Sequence, residues 1–171
     1  MIDFLSRLDR RWIFLAMLLA VSLPILFQMS FPEKTTPIVQ NVFDKIDNLP
    51  EGSPVLISFD YDPASAGELD PMATALVRHL CLKKHRIYFM ALLPLGSDLA
   101  DEKVRNVIKS DFPLMEYGVD YVNLGYKSGQ EGVINVIVDD LKKLYTSDSS
   151  GIGLSSMAIT RDIKNIRQMS L

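Results

Sequence analysis

Strand-sized apolar runs that alternate with segments of helical period predict an α/β fold for this chain. An earlier apolar stretch, from Trp12 to Phe31, carries no charged side chain and stands apart from that alternation. Together these patterns predict an N-terminal transmembrane helix followed by a small three-layer domain with a mostly parallel sheet of three to five strands. The expected organisation is an N-terminal tail (1–11), a span (12–31), a connecting helix and linker (32–52), and the α/β domain (53–171).

The span follows from length and solvation. In hydrocarbon every backbone N–H and C=O must be paired internally, so such a segment has to be helical. At a rise of about 1.5 Å per residue, the stretch covers about 30 Å, the thickness of a bilayer's apolar core. Pro24 removes one donor inside it, which transmembrane helices accommodate as a kink. Trp12 suits the aromatic belt at the membrane interface. A cleaved signal peptide would have an apolar region of about 7–15 residues and a small-x-small cleavage site. Here the run is longer and ends QMSFPEK. A buried core helix is the third reading, and soluble helices are rarely apolar on every side. Arg7, Arg10 and Arg11 precede the stretch, whereas only Lys34 and Lys45 follow soon after. The positive-inside bias therefore sets the N-terminus in the cytoplasm, with the α/β domain on the outer face of the cell membrane.

Thr36 before Pro37 pairs a helix cap with a first-turn proline, and Ile38, Val39, Val42, Phe43, Ile46 and Leu49 recur at helical spacing. These predict a helix over 37–48. VLISFD, bounded by turn residues, predicts a buried strand over 55–60. Asp70-Pro71 repeats the cap-proline signal and opens a helix over 70–83, its inner face including Met72, Leu76, His79 and Leu80. A second strand is expected over 87–93, closed by Pro94 and Gly96. A third helix over 97–110 turns Leu99, Val104, Val107 and Ile108 inward. Residues 120–124 form a third strand candidate. A fourth helix over 130–145 carries the stripe Val133, Ile134, Ile137, Val138, Leu141 and Leu144. TSDSSGIG reads as a polar break, and the residues after it carry no strong pattern.

Composition narrows the function classes. A formal charge of −3 gives no basic footprint, so a nucleic-acid partner has no electrostatic support. Cys81 is the one cysteine, which excludes an internal disulfide and any Cys/His cluster of metal-ligand spacing. Its apolar neighbours Leu80 and Leu82 suit a buried thiol. His79 falls on an apolar helix face, while His85, within KKHR, is expected at the surface.

Ligands of parallel α/β sheets bind at the carboxyl ends of the strands, so the exits FDYDPAS, LPLGSD and LGYKSGQEG hold the candidate residues. The third exit places Gly125, Gly129 and Gly132 between a strand and a helix start. Backbone N–H groups there can approach an anion, with Lys127 and Ser128 beside Gly129 as further ligands. The spacing matches neither the Walker loop nor the dinucleotide fingerprint, and an ordinary glycine-rich turn is the competing reading. At the first exit, Asp60 and Asp62 are acidic residues at the end of an apolar strand. As plain turn residues they would accept hydrogen bonds from main-chain N–H groups two residues on.

The strand followed by Asp60-Tyr61-Asp62 resembles the first motif of haloacid-dehalogenase-like phosphotransferases. That resemblance implies Asp60 as nucleophile, Asp62 as acid/base, Ser97 where the family holds phosphate, Asp139 and Asp140 as an acidic pair, and a required magnesium ion. The chain departs from the pattern at Pro63-Ala64 and in placing Asp139 and Asp140 on a helix. No other cofactor is expected. Residues 10–160 also resemble uncharacterised prokaryotic membrane-anchored proteins, on the strength of the anchor, VLISFDYDPAS and VNLGYKSGQEG. Three readings follow. The first is a membrane-tethered accessory or scaffold domain within a membrane-associated assembly, binding the bilayer through the stretch from Trp12 to Phe31 and a protein partner or a second copy. The others are a metal-dependent phosphoryl-transfer or hydrolytic enzyme, and a small-ligand or anion-binding module.

Overall fold

The computed structural model describes residues 9–27 and 34–170. They fall into two compact units, divided between Gln40 and Asn41.

The first unit holds helix α1 (Arg10–Leu26), of 17 residues. Asp9 caps it, its carboxylate accepting from the Arg11 N–H at 3.1 Å. Pro24 lies inside the helix, and none of its residues is buried. Among the described residues no helix is long and apolar enough to cross a membrane. The expected span reaches Phe31, and residues 28–33 lie outside the described residues. Helix α2 (Pro37–Asp47) starts where the cap-proline pair predicts, with the Thr36 hydroxyl accepting from Val39 N–H at 3.5 Å. It runs across the boundary into the second unit.

The second unit is a small α/β domain around a three-stranded parallel sheet, in the order β1 (Pro54–Ser58), β2 (Arg86–Ala91), β3 (Tyr121–Tyr126). Parallel strands need crossover connections, which cover the faces of the sheet, so strand side chains on both faces are apolar. Val55, Ile87, Phe89 and Tyr121 pack on one face, against Val77 and Leu80 of α3 (Ala66–Leu82) and Ala100 of α4 (Gly96–Lys103). A π-helical stretch (Val104–Ile108) and a last turn (Lys109–Asp111) carry α4 onward. Leu56, Tyr88, Met90, Val122 and Leu124 point the other way, against Val133 and Ile137 of α5 (Glu131–Asp139) and Leu141 of α6 (Leu141–Leu144). Each such side chain buried stabilises the fold by about 1.5–3 kcal/mol.

The helices depart from expectation in two places, and the C-terminus takes a form that no pattern announced. Helix α3 begins at Ala66 and not at Asp70, because Ser65 starts it and Asp70 turns inward to an ion pair. The helix expected over 130–145 breaks at Asp140, which is extended (φ −157°) and caps α6 by accepting from Lys142 N–H at 2.9 Å. The unpatterned C-terminus forms short 3-10 turns that bury Leu154, Ile159 and Ile166 against the sheet. His85, expected at the surface, is 1% exposed, its Nε2 hydrogen directed at the Ile46 carbonyl at 3.3 Å.

The two sheet edges are finished differently. On β3 the outer main-chain groups of Asn123 are paired, its N–H donating to the Tyr117 hydroxyl at 3.4 Å and its carbonyl accepting from Ser149 N–H at 2.8 Å. On β1 a single parallel bridge joins Val55 to Ser170.

Candidate functional site

The carboxyl ends of the three strands gather most of the residues singled out from sequence. Asp60 follows β1, and its carboxylate accepts from the Leu92 N–H at 2.6 Å and from the Ser58 hydroxyl. It therefore ties the exit of β1 to the exit of β2. Asp62 accepts from Ser65 N–H at 2.9 Å, the local turn bond that competes with any ligand for that carboxylate.

Ser97 stands in the first turn of α4, where its backbone carbonyl accepts from the Asn123 amide at 3.2 Å. The same Nδ2 donates to Asp101 Oδ1 at 2.8 Å, and Asn123 Oδ1 accepts from Gly125 N–H at 2.9 Å. Asn123 thus joins Ser97 to Gly125 from a fully buried position in β3. Gly125 has φ +84°, and a side chain there would press on Ser149 at 3.3 Å, so the position favours glycine twice over. Gly96 is required for another reason: a Cβ would stand 1.9 Å from the Phe59 carbonyl oxygen. Its absence lets the start of α4 sit directly on the end of β1.

Lys127 N–H donates to the Ala91 carbonyl at 3.0 Å, and its ammonium lies 5.6 Å from the centre of the Tyr145 ring. Ser128 is exposed, and Gly129 (φ +126°) turns the chain into the N-terminus of α5. The turn thus meets a helix start as an anion site requires. Glu131 lies in that first turn, however, and sets a carboxylate against an incoming anion. Tyr145 is buried with its hydroxyl unpartnered, and burial, helped by the field of Asp60, raises its pKa well above the phenol range.

Two residues that sequence reasoning missed organise this end of the domain. Asn123 is one; an amide inside the apolar run YVNLGY is the signal, because a polar group buried there must find partners. The other is Asp148, 6% exposed, which accepts from Tyr117 hydroxyl at 2.5 Å and from the N–H groups of Ser150 and Ile152 at 3.0 and 2.7 Å. It orders the TSDSSGIG segment that reads as a plain break. Burial and this carboxylate raise the pKa of Tyr117.

Magnesium-assisted chemistry does not fit these residues. Among the described residues no three His, Cys, Asp or Glu side chains are grouped to hold a metal ion. Asp139 ends α5 and Asp140 caps α6, away from any strand exit. The chain matches no protein-family model, no curated protein and no solved structure.

Proposed function

We propose that this chain is a membrane-tethered accessory domain, without catalysis of its own, that holds a protein partner within a membrane-associated assembly. One observation carries the reading: the acidic residues at the exit of β1 are engaged in holding the fold. Asp60 serves the Leu92 N–H, and Asp62 serves its own turn. Helix α1 supports the tether. Its apolar side chains face outward all round, with Trp12, Leu18 and Ile25 at 65%, 61% and 70% exposure, and Arg10 and Arg11 mark its N-terminal end. Such a surface is matched by acyl chains and not by water. With the arginines in the cytoplasm, the α/β domain works on the outer face.

The test uses the full chain in its native membrane. After an alkaline wash it stays in the membrane pellet, whereas a variant lacking residues 12–31 is released. Extracted in mild detergent, the full chain migrates in native electrophoresis at a mass well above its own. Release of the full chain by the wash, or migration as a single chain, overturns the reading.

A further inference from the structure

We infer that the first turn of α2 lies in the lipid headgroup layer, with Ile38 and Val39 sunk toward the acyl chains as a second, shallow membrane contact; this rests on the tether proposed above. The two halves of α2 differ. From Phe43 onward the helix is fastened to the α/β domain. The Phe43 ring stacks on His79 with centroids 4.5 Å apart, Asp47 accepts from the Lys83 ammonium at 2.8 Å, and the Ile46 carbonyl meets His85 Nε2 at 3.3 Å. In the first turn Ile38 and Val39 are left open instead, at 76% and 51% exposure.

Chain connectivity names the occupant. Six residues separate Phe31, the end of the apolar stretch, from Ile38. That length of extended chain reaches at most about 25 Å. The headgroup layer on one side of a bilayer is about 5–8 Å deep, so a tether ending at Phe31 keeps the start of α2 within reach of it. Two apolar side chains are too few to hold a free helix at a membrane. A tethered helix meets the surface at high effective concentration and gives up little further translational freedom, so two can suffice. The main chain is prepared as well. Helix starts resist lipid because their first N–H groups lack partners. Here Pro37 has no N–H, and the Thr36 hydroxyl accepts from Val39 N–H at 3.5 Å. Charge selects the lipid: α2 carries Asp44 and Asp47 against Lys45, so it is not drawn to anionic headgroups, and apolar insertion into neutral lipid remains.

Trp12 is the one tryptophan, so Trp12→Phe supplies a dark background. On it, Ile38→Trp in the full chain is placed in phosphatidylcholine nanodiscs with and without bromine on the acyl chains. Bromine quenches an indole only at close range, and for a side chain about 5–10 Å into the headgroup and acyl boundary the emission should fall by about half. Gln40→Trp, on the opposite side of the same turn, should keep nearly all of its emission, whereas a tryptophan that sinks of its own accord would be quenched at both positions. Exchanging phosphatidylcholine for phosphatidylglycerol should not strengthen the quenching. Absence of quenching at position 38, or equal quenching at both, overturns the docking. Emission at position 38 that is blue-shifted yet unquenched overturns lipid as the occupant in favour of a protein surface, either a partner or a second copy.

The alkaline wash separates this from the tether. A chain retained in the pellet but unquenched at position 38 loses the docking alone. A chain released by the wash yet quenched there loses the tether alone.

Discussion

Lys103 exposes 3% of its side chain, and its ammonium is held by Asp70 Oδ2 at 2.6 Å. The Tyr61 hydroxyl donates to the other oxygen of Asp70 at 3.1 Å, so three residues from three segments satisfy one another. This explains why Asp70-Pro71 misleads as a helix start: the partner that decides the role of Asp70 lies 33 residues on. His85 is misread for the same reason, its acceptor Ile46 being 39 residues away. Lys103 holds the Asp70 carboxyl below its ordinary 3.8, with burial opposing and Tyr61 assisting. A lowered folded value means that the pair's contribution is complete above 3.8 and is lost as pH falls through the folded value. Removing one partner of a buried pair strands the other, and with Asp70 one-third exposed the cost of Asp70→Asn should be about 2 kcal/mol at neutral pH. Urea unfolding followed by circular dichroism should show that gap closing in acid. Lys103→Met leaves Asp70 without its cation, and because Asp70 is one-third exposed to water this should cost less, about 1 kcal/mol.

At the scale of elements, the strands were the most legible part. A strand buried on both faces is a largely apolar run, and VLISF, IYFMA and YVNL give that run its bounds within a few residues. Helix ends were less so, because the break at Asp140 depends on its extended backbone and its bond to Lys142. The 3-10 turns from Leu154 onward have no period to read, although Leu154, Ile159 and Ile166 are buried in the core beside the strand residues. The exits of the strands could be located, but the bonds there could not, since Asn123 and Asp148 act through partners distant in sequence. Two glycines separate close packing from helix propensity. Gly67, in the first turns of α3, has open space where a Cβ would go, so Gly67→Ala should raise stability by about 0.5–1 kcal/mol. Gly96→Ala drives a Cβ into the Phe59 carbonyl and should cost about 3 kcal/mol, with α4 lifting from β1. Thermal unfolding of the two variants side by side checks the sign; equal effects would mean that α4 can shift freely.

For the whole molecule, orientation decides which chemistry is within reach. On the proposed outer face the domain would have no ready supply of nucleotide, in keeping with Asp60 and Asp62 serving main-chain N–H groups. The lone cysteine makes orientation measurable. Cys81 is 4% exposed, and burial pushes its thiol up to about 12, so at neutral pH it is neither reachable nor ionised enough to react. A cysteine introduced elsewhere therefore reports without background. Ser155 is exposed in the C-terminal part of the α/β domain, and Ser6 precedes the apolar stretch, among the arginines. In intact cells a membrane-impermeant maleimide should label Ser155→Cys and leave Ser6→Cys unlabelled, with both labelled once the membrane is opened. The reverse pattern would put the domain beside the cytoplasmic nucleotide pool, and the engagement of the two carboxylates would then stand alone against phosphoryl transfer. Labelling of both in intact cells would mean that residues 12–31 do not separate them.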